Sequence, residues 1–214
     1  MHAPSLVPVL HAVTNDEIVA RPGFPDRAIA VMRAMGPRGA VHLRTHRLTA
    51  AELHTLAIQL VDVQQQSGCW LVINDRVDVA LATGARGIQL NSRSMRIADA
   101  RAIAPLIAVG ASIHTAEQAL AAEGEGATWA VAGQSADTES RAGAGAGAES
   151  FIARVTERTT LPVIAIGGIA PEDVARLRRA GAWGVAAIRG IWGAADAGQA
   201  ATDYLSRHDA HEAS

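Results

Sequence analysis

Eight short apolar runs, rich in β-branched residues, recur along the chain: VPVLHAVT (7–14), AVHLR (40–44), WLVIN (70–74), GIQL (87–90), LIAVGAS (106–112), WAVAG (129–133), PVIAIG (162–167) and GVAAIR (184–189). Between them lie segments with helical periodicity. In 50–66, Leu53, Leu56, Ala57, Leu60 and Val63 fall on one helical face. Eight strand–helix units of roughly 25 residues are the rhythm of a (β/α)8 barrel. A doubly wound open sheet uses the same alternation, but the count of eight and the regular spacing favour closure. The expectation is an α/β fold with one barrel spanning 1–214. Within it, the Gly/Ala-rich stretch 136–149 reads as a mobile loop, and residues 206–214 read as a frayed tail.

Composition narrows the function classes. The 214 residues carry a formal net charge of -2, 49% hydrophobic residues and 19% charged ones, as in an ordinary globular protein. No run approaches the roughly 20 apolar residues of a membrane span. No basic segment precedes the first apolar run, so the cytoplasm is the expected location. The single cysteine, Cys69, excludes an internal disulfide and a cysteine-based metal site. All 19 basic residues are arginine, so chemistry that needs a lysine Schiff base is excluded. Scattered basic residues and 3% aromatics argue against a nucleic-acid surface.

Barrel enzymes work at the C-terminal ends of their strands, and phosphate often sits beyond strands 7 and 8. Here those strands end in Gly167-Gly168 and Gly190, followed by Ile191 and Trp192, whose backbone N–H groups are expected to form an anion nest. The same rim gathers polar residues. His42 and Arg44 share one parity, with His46 beyond, and Asn74-Asp75 end strand 3. Gln89 and Asn91 lie at strand 4, and Ser112 and His114 at strand 5. Gln134, Thr138, Ser140 and Arg141 follow strand 6. Singly, each is as readily a barrel-layer or solvated residue as a functional one.

In order along the chain, LHAVTND, VHLR, INDRVDVALATGARGIQL, VGASIHTAEQA, PVIAIGGIAPEDV and GAWGVAAIRGI resemble the thiamine phosphate synthase family, which includes the TenI-type thiazole tautomerases. The resemblance implies a barrel that binds a small phosphorylated thiazole, with Gly167, Gly168 and Gly190 around the phosphate. Its synthase members also take a pyrimidine pyrophosphate through Mg²⁺ and join the two rings with loss of pyrophosphate. The departures are specific. The family Arg-x-Lys after strand 2 is Arg44-Thr45-His46, and Ser94 stands where a second carboxylate follows strand 4. That leaves Asp75 as the one family Mg²⁺ ligand. The Thr-x-Thr-Lys loop becomes Thr138-Glu139-Ser140-Arg141.

Tautomerase members shift a proton within a carboxythiazole phosphate without metal, using a histidine after the glycine of strand 6. Here that position is Gln134, which has no basic lone pair to offer. Three expectations follow. The first is a tautomerase in which His42, His46 or His114 moves the proton, with no cofactor. The second is a divergent synthase using Arg44, Asp75, Arg141 and Mg²⁺. The third is a non-catalytic binder of a phosphorylated ligand. No membrane or nucleic-acid partner is expected, and a homodimer is left open.

Overall fold

The computed structural model describes residues 7–133 and 146–212, without the side chains of Ala146 and of 210–212. Its eight strands are β1 (Leu10–Val13), β2 (Gly39–Leu43), β3 (Trp70–Asn74), β4 (Gly87–Leu90), β5 (Ala108–Ile113), β6 (Trp129–Ala132), β7 (Val163–Ile166) and β8 (Gly184–Ala187). They are all parallel, and β8 pairs back onto β1 to close the barrel. The expected (β/α)8 barrel is therefore observed.

Helices wrap the outside: α1 (Asp16–Val19), α2 (Phe24–Met35), α3 (Ala50–Ser67), α4 (Val77–Thr83), α5 (Ile97–Ile103), α6 (Ala116–Gly124), α7 (Ala146–Thr156), α8 (Val174–Arg179), α9 (Arg189–Trp192) and α10 (Ala197–Glu212). Helix α3 has the most complete local instructions. Thr49 accepts from the Glu52 N–H while Glu52 reaches back to Thr49, and Gly68 in a left-handed conformation ends the helix. Its apolar stripe of Leu53, Ala57 and Leu60 is buried against the barrel wall.

Two expectations change here. The stretch after Leu205, read as a tail, is helical where it is described: α10 runs to Glu212, with Tyr204 and His208 buried and Arg38 bonded to Asp209. Its anchors are spaced for a helical face, a pattern a short polar tail hides. Residues 146–149, read as the end of a loop, open α7, while 136–145 lie outside the described residues.

Strand parity sorts every side chain. Outward residues such as Val41, Leu71, Ile73, Ile88 and Leu90 meet the helices. Inward residues fill the barrel with an unusual load, because Trp129 points inside and lies near Trp70. Small inward residues make that possible. A Cβ on Gly110 would overlap the Trp129 ring, and one on Gly87 would press on it. Trp183 donates from Nε1 to the Val7 carbonyl at 2.9 Å. Tryptophan at one end of the barrel leaves the polar inward residues collected at the other, C-terminal end.

Candidate active site

The inner face of the barrel carries a polar column above Trp129. Trp129 Nε1, which can only donate, bonds Gln89 Oε1 at 3.0 Å. This fixes the amide, so Gln89 Nε2 donates to Ser112 Oγ at 3.0 Å. Beside this pair, His11 Nδ1 and His42 Nε2 lie 2.7 Å apart, and His11 Nε2 lies 3.0 Å from the Pro8 carbonyl. Both rings are buried. Burial pulls the His11 pKa down to about 4, against a small rise from Pro8. Burial, then the neighbouring His11, holds His42 well below the ordinary histidine range. Asn74, on the next strand, adjoins His42. Its Oδ1 is buried without a hydrogen bond.

The structure thus brings His42, Asn74, Gln89 and Ser112 together inside the barrel. His42 is a buried neutral ring there, a poor proton acceptor near pH 7. His11 was missed in the sequence because it sits in an apolar run, yet its alternation with Val13 marks it as inward-facing.

At the mouth between β3 and β4, Asp75 is the one non-glycine residue with positive φ among the described residues, at 63°. Aspartate tolerates this conformation better than most residues. The turn is held by Asp75 N–H to the Gln89 carbonyl at 3.0 Å. Asn91 Nδ2 donates to Asp75 Oδ1 at 2.7 Å, and Ser94 Oγ donates to the same oxygen. Ser94 therefore stands against Asp75, in the place of the second carboxylate expected from the family pattern. Asp75 Oδ2 takes none of these bonds. A single oriented carboxylate suits a hard cation that uses one or two carboxylates and completes its shell with substrate phosphates and water. Among the described residues, no cluster of three or more His, Cys, Asp or Glu is placed to hold a metal unaided.

Arg44 follows β2 and is half-buried. Its backbone is pinned both ways by Thr14: the Arg44 N–H donates to Thr14 Oγ1 at 2.9 Å, and Thr14 Oγ1 donates to the Arg44 carbonyl at 3.0 Å. Its guanidinium meets no carboxylate among the described residues. Asp16 clamps the following loop by accepting from Thr45 Oγ1 at 2.7 Å and from the His46 N–H at 2.6 Å. These bonds, Thr45 first, hold its carboxyl below the usual range. His46 itself is exposed. His114 is also exposed, with Nδ1 donating to the Gly133 carbonyl at 2.7 Å. That leaves its Nε2 as an acceptor.

Between β7 and β8 opens a cavity of about 380 Å³, lined among others by Gly167, Gly168, Ile188, Arg189, Gly190 and Tyr204. Gly167 (φ 131°) and Gly168 (φ 63°) have backbones that side chains disfavour. None of the Gly167, Gly168 and Gly190 N–H groups donates to another group among the described residues. Ile191 and Trp192 do not join them: both donate to the Ile188 carbonyl, at 3.2 and 3.0 Å, as the first turn of α9 closes. That corrects the expected nest. Gly190 also has a packing reason, since a Cβ there would overlap Tyr204 Oη, which donates to the Ile169 carbonyl at 2.6 Å. Arg189 was missed because it reads as the end of strand 8. β8 stops at Ala187, and Arg189 opens α9 on the cavity wall. Gln134, Thr138, Ser140 and Arg141 lie outside the described residues.

The profile of a family described as "Thiamine monophosphate synthase" matches residues 10–191. A thiamine-phosphate synthase from Methanoculleus marisnigri is 32% identical over 197 residues, covering 91% of this chain and 93% of the relative. One from Pyrococcus abyssi is 33% identical, over 75% of this chain and 78% of the relative. A solved thiamine phosphate pyrophosphorylase from Pyrococcus furiosus superposes with a TM-score of 0.81 at 28% identity, covering 97% of this chain and 98% of that one.

Proposed function

Because the chain belongs to the thiamine monophosphate synthase family, we propose that it is a transferase. It joins a thiazole phosphate to a pyrimidine carried as its pyrophosphate, and releases pyrophosphate. The observation that carries this reading is the division of the barrel mouth. The order β1 to β8 puts β7 opposite β3, so the cavity at Gly167, Gly168 and Arg189 faces Asp75 and Arg44 across the mouth. Two anionic groups have separate places, which suits two substrates better than one.

In this reading, the open N–H groups of Gly167, Gly168 and Gly190, with Arg189, hold the phosphate of the thiazole. Arg44, without a carboxylate partner, faces the pyrophosphate. As the bond from the pyrimidine's carbon to pyrophosphate breaks, its electron pair leaves with the oxygen, and a fixed guanidinium stabilises the growing charge. Mg²⁺, held by Asp75 Oδ2 and the substrate's phosphates, would add charge neutralisation on that leaving group. Asn91 and Ser94 orient the Asp75 carboxylate for this role. The test is a pyrophosphate-release assay with both precursors. Release that requires both precursors and Mg²⁺ supports the reading, and its absence with folded protein overturns it.

One observation favours a tautomerase as the second reading. The His114 bond to the Gly133 carbonyl ties that ring to the end of β6 and leaves Nε2 with a free lone pair. Aromatisation of a carboxythiazole phosphate that is lost in His114→Ala supports it. Unchanged turnover in that variant removes His114 from the chemistry.

A further inference from the structure

Helix α9 opens with Arg189 and Gly190 on the wall of the β7–β8 cavity, yet it is only four residues long. One turn is too short to persist alone, and its last carbonyls have no partners within the helix. Two arginines from far back in the chain supply them. Arg21 Nη1 donates to the Trp192 carbonyl at 2.9 Å. Arg27 Nη2 donates to the same carbonyl at 3.3 Å and to that of Ala194. Cations at this end of a helix also suit its dipole. Phe24, between the two arginines in sequence, packs on the Trp192 ring with centroids 5.7 Å apart.

The start of the same segment holds the loop that carries Arg44. Thr14 pins the Arg44 backbone, and Asp16 Oδ1 accepts from Thr45 Oγ1 and from the N–H groups of His46 and Arg47. β1 pairs with β2 on one side and β8 on the other, so the chain leaving β1 lies between the Arg44 loop and α9. Among the described residues, no hydrogen bond or ion pair joins 44–47 to 188–194 directly. The segment between them is stiff. Asn15 accepts from the Ile18 N–H at 2.9 Å, and Ile18 and Phe24 are buried. Pro22 and Pro25 restrict the backbone around Gly23, whose φ is 72°.

We propose that residues 14–27 form a common mount that sets the distance between the two anion sites, with Asp16 and Arg21 as positioning residues at its two ends. The mount is a property of the free protein, and its effect on rate rests on the transferase reading. A fixed separation matters most when two bound groups must react with each other. A small misplacement of the reacting atoms then costs far more in rate than in the affinity of either ligand alone.

Arg21→Ala and Asp16→Ala are each expected to lower kcat for pyrophosphate release about tenfold. By calorimetry, the affinity of each variant for thiazole phosphate alone or pyrimidine pyrophosphate alone is expected to change less than about threefold. A mount freed at one end no longer sets a distance, so the double variant is expected to lose little more than either single one. Arg21→Lys keeps a donor and Asp16→Asn keeps the accepting oxygen, so both are expected to recover most of the rate. Losses that multiply in the double variant, or an unchanged kcat in either alanine variant, overturn the proposal. Amide hydrogen exchange reads the mount without activity. The Trp192 and Gly193 N–H groups are expected to exchange faster in Arg21→Ala, and those of His46 and Arg47 in Asp16→Ala. Unchanged exchange also overturns the proposal. Faster exchange in the variants of a protein whose wild type binds both ligands but releases no pyrophosphate supports the mount and contradicts the transferase reading alone.

Discussion

Ser94 Oγ donates to Asp75 Oδ1, joining the loop after β4 to the end of β3. A hydroxyl thus stands in contact with the carboxylate where a second carboxylate would share a cation. Ser94→Asp places two like charges together, so without metal it is expected to lower stability by about 1 kcal/mol. With Mg²⁺ the second carboxylate becomes a ligand, and the Mg²⁺ concentration for half-maximal pyrophosphate release is expected to fall about tenfold. Denaturant titration with and without Mg²⁺, alongside the activity curve, separates the two effects.

Gly190 lies against Tyr204, and a Cβ at 190 would overlap the phenolic oxygen, with Tyr204 Cζ only 3.2 Å away. Gly190→Ala is expected to cost about 1–3 kcal/mol by overpacking. Tyr204→Phe removes the clashing oxygen but leaves the Ile169 carbonyl without its donor, costing roughly 1 kcal/mol alone. The double variant is expected to be more stable than the sum of the two losses predicts, as a urea-denaturation cycle would show.

Arg189 is exposed on the wall of the β7–β8 cavity. Arg189→Ala is expected to leave the melting temperature of the free protein unchanged within a degree or so, because surface changes are nearly neutral. Its effect is expected on the ligand, with affinity for a thiazole phosphate falling about tenfold through loss of a charge-assisted contact. Titration calorimetry checks this, and an unchanged affinity excludes Arg189 from the phosphate site.

The buried pair of histidines gives the protein a pH signature. The His11 pKa is lowered from 6.5 to about 4, so between those values the unfolded chain binds more protons than the folded one. This contribution to stability is full above pH 6.5, falls as pH drops below it, and has been lost by about pH 4. The His11 contribution over that window is roughly 3 kcal/mol, and His42 acts in the same direction. Urea denaturation at pH 7 and pH 5 is expected to show the loss. A double variant, His11→Leu with His42→Leu, is expected to flatten the slope.

Much of the fold could be read in the sequence because each strand unit repeats the same alternation of buried apolar runs and helical faces. β3 and β4 begin and end where their runs do, since Gly68 and Asn91 bound them with turn chemistry. The first run was read too long: Val7 belongs to the loop that receives Trp183 Nε1, and β1 starts at Leu10. The glycines after β7 were placed at a cavity by position alone, whereas the packing reason for Gly190 depends on Tyr204, which lies on α10 far along the chain. His11 and Arg189 were lost for opposite reasons, one hidden within an apolar strand and the other assigned to a strand that stops two residues earlier. His42 was legible as a site residue, but its neutral state follows from burial inside the closed barrel, to which His11, brought near by strand pairing, adds.

Product formation from thiazole phosphate and the pyrimidine pyrophosphate, followed against Mg²⁺ concentration in the wild type and in Asp75→Asn, tests the central claim most directly. The account predicts Mg²⁺-dependent thiamine phosphate formation in the wild type, with one pyrophosphate per product, and a loss of at least about a hundredfold in Asp75→Asn without loss of folding. Equal rates in the two proteins, or no product from folded wild-type protein that binds both precursors, would contradict it.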